Sequence, residues 1–78
     1  MTKKLTSCQI GEKVRVYSFL MNEHKSKRLM DMGLIPGTIV EITRIAPFGD
    51  PVAIKVKGFQ MSFRKQEAEE VLVKGLNE

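Results

Sequence analysis

Apolar and polar side chains alternate along four stretches of the chain. In Lys13–Phe19, KVRVYSF, the positions of Val14, Val16 and Ser18 fall on one side and those of Lys13, Arg15 and Tyr17 on the other. A period of two is the pattern of a half-buried strand. TIVEITRI, from Thr38, sets Val40 and Ile42 against Glu41 and Thr43; VAIKVKG, from Val52, sets Val52, Ile54 and Val56 inward and Ala53, Lys55 and Lys57 outward. After a turn at Gly58, FQMSF repeats the pattern with Phe59, Met61 and Phe63 inward and Gln60 and Ser62 outward, and VLV, from Val71, supplies a last short strand.

Between the first two strands the period changes. NEHKSKRLMDM opens with Asn22, a side chain suited to cap a helix, and Glu23, whose charge the first turn favours. On a helical wheel Leu29 lies at the centre of an apolar arc flanked by Met30 and Met32, with His24, Lys27 and Asp31 opposite. Gly33 stands where a helix ends in the left-handed region, and Leu34 can close back on Leu29. Pro36 and Gly37 then suit the two central positions of a type II turn. APFGDP, with Gly49 among three other turn formers, is a loop, and RKQEAEE is long enough for about one helical turn. The expected architecture is mainly β: one domain over residues 1–78, a small barrel or strongly bent sheet. It carries one short α-helix after the first strand and a one-turn helix before the last.

Composition narrows the function. A chain of 78 residues with 42% hydrophobic side chains buries only about 60% of its unfolded surface, enough for one core but not for an enclosed ligand cavity. Cys8 is the single cysteine, so no internal disulfide forms and a reducing, cytoplasmic setting is expected. The amino end MTKKLTSCQIG has no apolar stretch of an export signal, and no run approaches a membrane span. His24 and Cys8 lack the companions at defined spacing that a metal site or a thiol–base pair requires, and no Gly-rich phosphate loop precedes the helix. Neither catalysis nor a bound cofactor or metal is expected. A net charge of +4 permits an anionic partner, but the basic residues are dispersed.

RLMDMGLIPGTIVEITRIAPFGDPVAIKVKG followed by FQMSFRKQEAEEVLV resembles the ferrous iron transport protein A (FeoA) family. Its fingerprint is a helix ending in Leu-x-x-Met-Gly-Leu, then Pro-Gly, a strand, APFGDP, an amphipathic strand and a closing RKQEAE turn, here preceded by Phe63 where the family carries Leu. The resemblance implies an SH3-like barrel. It implies a cytoplasmic accessory protein of ferrous iron transport that works with the permease FeoB, a membrane protein with a cytosolic GTPase domain.

Two surfaces are expected to meet such a partner: the helix, through Lys25, Arg28, Leu29 and Met30, and the loop, through Pro47, Phe48 and Asp50. Methionine-rich and exposed aromatic surfaces adapt readily to partners, and Met30 is the helix residue expected to be left over from the core. Arg28 and Arg64 are candidates for an arginine offered to a partner GTPase. Gly33, Pro36, Gly37 and Gly49 are expected to act structurally, as turn residues. The contrasting reading is a nucleic-acid-binding barrel using Arg15, Lys55, Lys57 and Arg64, a weaker one because such barrels interleave aromatic stacking platforms with their cations. No nucleic acid or membrane insertion is expected, while weak self-association is compatible with the exposed apolar residues.

Overall fold

The computed structural model describes residues 1–77. The chain runs β1 (Thr2–Lys4), a 3-10 turn (Leu5–Ser7), β2 (Lys13–Phe19), α1 (Glu23–Asp31), β3 (Ile39–Ile45), β4 (Val52–Val56), β5 (Phe59–Phe63), α2 (Lys65–Glu69) and β6 (Val71–Gly75). The strands form one six-stranded antiparallel sheet in the order β1-β6-β2-β3-β4-β5. The sheet bends around one cluster of buried side chains: Val14, Val16, Val40, Ile42, Val52, Ile54, Val56, Val71 and Val73 from the strands, closed by Leu5, Leu29, Leu34 and Ala68. The helix α1 follows the strand whose alternation reads first in the sequence. The additional strand before it, β1, is three residues long and too short to show a period.

The joint between α1 and β3 is built as its residues require. Gly33 adopts φ +105; its N–H donates to Met30 O at 3.0 Å and the Leu34 N–H donates to Leu29 O at 3.1 Å. These are the two bonds of a Schellman closure, sealed by Leu34, which is fully buried. Thr38 N–H then donates to Ile35 O at 2.9 Å around Pro36 and Gly37, and Gly37 N–H donates to Val16 O at 2.7 Å. The turn therefore delivers the chain directly onto β2 as β3 begins.

Two irregularities bend the sheet and correct the simple alternation. The β2–β6 register shifts between Val16 and Ser18, so Tyr17 is the extra residue of a bulge and Phe19, rather than Ser18, packs on the core. The β3–β4 register shifts between Ile42 and Arg44. This second bulge falls at Thr43, whose Oγ1 is buried without a hydrogen-bond partner among the described residues. Beyond it Ala53 is buried although it occupies an outward position of β4, so Val52, Ala53 and Ile54 are buried in succession. Phe59, expected inward, is 72% exposed. It begins the edge strand β5, where the curved sheet no longer covers its inner face.

Two stability measurements check these assignments. A Cβ added at Gly33 would meet no atom within 4 Å, so Gly33→Val should lower unfolding free energy by about 1–2 kcal/mol through backbone strain alone, and Gly33→Asn by less. Thr43→Val removes an unsatisfied buried hydroxyl at nearly constant shape. In urea denaturation it should leave stability unchanged or raise it by up to about 1 kcal/mol.

Candidate functional site

α1 starts at Asn22, whose Oδ1 accepts the Lys25 N–H at 2.9 Å, and the Ser26 hydroxyl donates to Glu23 O at 3.1 Å. With the helix capped and its carboxyl end sealed, Leu29 (3% exposed) is driven into the core, and Lys25 and Arg28, one turn apart, share the flank beside it. α2 is placed from the other side. The Leu20 N–H donates to Glu70 O at 2.7 Å, the Arg64 N–H donates to Glu67 Oε1 at 3.1 Å, and Ala68 is fully buried.

Between the helices lies a cavity of about 380 Å³ lined by Met21, Leu29, Lys25, Arg28, Arg64, Gln66, Glu67 and Glu70. Leu29 and the half-buried Met21 form its apolar part. Among the described residues, Lys25, Arg28 and Arg64 have no carboxylate within ion-pair distance, although Glu67 and Glu70 line the same space. Three cations beside an apolar surface suit a partner segment that carries both a carboxylate and an apolar side chain. Arg64 and the α2 residues were not among the expected contacts of the helix. No pattern in the sequence reports that the turn after β5 faces α1 across this cavity.

The loop between β3 and β4 is held by Gly49 N–H donating to Ala46 O at 2.7 Å and Ala46 N–H donating to Pro51 O at 3.2 Å, with Gly49 at φ +79. Asp50 works within the chain: its Oδ1 accepts the Lys65 N–H at 3.1 Å and ties the loop to the first turn of α2. Pro47 is exposed, and Phe48 at the tip is 92% exposed. Of the expected helix contacts, Lys25 and Arg28 are exposed, Met30 is half-buried and Leu29 belongs to the core; the more exposed methionine is Met32.

The outer faces of the strands are less suited to nucleic acid. Glu41 stands directly between Lys13 on β2 and Lys55 on β4, and Ile39 sits opposite Arg15. The Lys74 ammonium lies 4.1 Å from the centre of the Tyr17 ring and occupies the face a base would stack on. His24 is exposed while Cys8 is buried, and no group of three or more His, Cys, Asp or Glu among the described residues could hold a metal ion. Among those residues no helix is long and apolar enough to cross a membrane.

Cys8 packs into the core with its Sγ 3.9 Å from Lys4 O. Burial first, and the nearby Glu12 carboxylate second, push its thiol up to about 11 from 9.0, against the opposing pull of Lys3. Glu12 is held below its ordinary range by the Lys3 ammonium and the Gln9 N–H.

This architecture, a small bent antiparallel sheet with a helix inserted between its two central strands, defines the class of SH3-like barrels, and similar chains have been solved. The solution structure of a FeoA-like protein from Clostridium acetobutylicum is 36% identical with a TM-score of 0.85, over 99% of this chain and 90% of that one. The FeoA protein from Chlorobium tepidum is 34% identical with a TM-score of 0.87, over 95% of this chain and 70% of the other. The zinc-complexed FeoA of Stenotrophomonas maltophilia, described as an SH3 domain protein, shares the fold at 24% identity and a TM-score of 0.79, over 92% and 89% of the two chains. The FeoA domain model matches residues 3–75, and the chain belongs to the FeoA family, which is associated with ferrous iron transport.

The Cys8 thiol has a measurable consequence. Its folded pKa lies above the unfolded value, so its contribution to stability is complete below pH 9.0 and is lost as pH rises toward about 11. Unfolding free energy should fall by roughly 2–3 kcal/mol across that window. In a Cys8→Ala variant, destabilised below pH 9.0 and without a thiol to titrate, this part of the decline should be absent.

Proposed function

We propose that this protein is a cytoplasmic accessory module of ferrous iron uptake. It docks on the cytosolic region of a FeoB-type permease and favours its transport-competent state, acting by binding and without catalysis or a resident metal. The observation that carries the reading is the cavity between α1 and α2, where Lys25, Arg28 and Arg64, without an ion-pair partner among the described residues, stand beside the apolar surface of Leu29 and Met21. Phe48, on the loop that Asp50 ties to the same helix α2, supplies a second anchor. Exposed aromatic and arginine side chains of this kind dominate binding energy at interfaces. The family's association with ferrous iron transport supports the reading, as does the role of ferrous iron transport activating factor suggested for the S. maltophilia protein.

The test is capture of the permease's cytosolic region by the immobilised protein. Arg28→Glu and Phe48→Asp, both surface changes, should leave the fold intact and weaken capture at least about tenfold each. Met30→Asp, at a half-buried position, should weaken it less. Undiminished capture by folded Arg28→Glu and Phe48→Asp variants would remove this surface from the proposal.

A further inference from the structure

The two edges of the sheet are built differently. β1 is three residues long, TKK, and carries two lysines; short, charged edges are the usual protection against pairing with other chains. β5 is five residues long, FQMSF, with no charge and no proline. Among the described residues its only sheet neighbour is β4, and it makes no backbone hydrogen bond outside that ladder. Gln60 and Ser62 are exposed on its outer face. On its inner face burial fades along the strand: Phe63 is 4% exposed, Met61 is half-buried, and Phe59 is 72% exposed. The strand thus presents an unused ladder and an uncovered aromatic ring together.

The sequence of β5 indicates what fits against it. Read antiparallel about Met61, FQMSF is complementary to itself: Phe59 lies opposite Phe63 of a second copy, Gln60 opposite Ser62, and Met61 opposite Met61. Every apolar residue meets an apolar one and every neutral polar residue another. The exposed end of each strand meets the end of the other where the core is deepest, so Phe59 is covered in both copies at once. This arrangement has two-fold symmetry and closes at two chains.

We propose that β5 is a self-association edge through which two copies pair antiparallel, centred on Met61, into a continuous sheet. The interface is small, below about 1,200 Å², so the dimer is weak and concentration-dependent. Each chain has a net charge of +4, and Lys57 and Arg64 flank the strand, so added salt strengthens the pairing by screening repulsion.

Sedimentation velocity from about 10 μM to about 1 mM, the range for interfaces this small, should show the average mass rising toward two chains and no further. Gln60→Lys with Ser62→Lys sets like charges opposite each other twice across the two-fold axis and should weaken association about tenfold. Gln60→Lys with Ser62→Glu sets opposite charges in the same places and should restore it to at least the original level. Both variants alter exposed side chains, and circular dichroism should show the unaltered fold. A single-chain mass throughout, growth beyond two chains, or equal association of the two charge variants would overturn the proposal.

Discussion

An antiparallel sheet of six short strands has two faces, and a chain of 78 residues can supply apolar side chains for only one of them. The solution is to curl the sheet until the inner faces of its strands meet in a single core, where valine and isoleucine from β2, β3, β4 and β6 fill the interior. Everything else in the molecule follows from that closure. The interior is occupied by side chains, so anything the protein recognises must be met on its outer surface. α1 and α2 each commit an apolar residue inward, Leu29 and Ala68, and both line the charged space between them.

Much of this was legible along the chain because local chemistry and tertiary structure agree. Val14 and Val16, Val40 and Ile42, and Val52, Ile54 and Val56 read as inward and are buried. Asn22 reads as a cap and caps; Gly33, Pro36 and Gly37 read as the joint and form it. Agreement of this kind marks a sequence that specifies one fold. The departures share one cause. Period-two reasoning assumes an unbroken ladder, whereas bending the sheet requires an extra residue at Tyr17 and at Thr43. Each bulge shifts the alternation beyond it, so Phe19 replaces Ser18 on the inside. Alternation also says nothing of where the sheet ends, which is why Phe59 reads like Phe63 and lies in solvent instead.

The site was legible only in part. Lys25 and Arg28 are readable as a helix flank because their spacing is that of one turn, and Phe48 as a loop tip because prolines and glycine surround it. The placement of Arg64, Gln66 and Glu67 depends on α2 facing α1 across the cavity, a long-range arrangement with no local signature. The resemblance to a known family supplied what periodicity could not: an SH3-like topology and a link to ferrous iron transport, both in keeping with the family match over residues 3–75.

The Schellman closure at Gly33 and the Pro36–Gly37 turn also bear on how the molecule recognises anything. α1 is nine residues long, capped at one end and hydrogen-bonded through its exit turn to β2 at the other. Such a helix has little orientational freedom left to surrender. A ligand meeting Lys25 and Arg28 would therefore encounter a rigid platform set in advance, and the entropy usually lost in ordering a recognition helix has already been spent during folding.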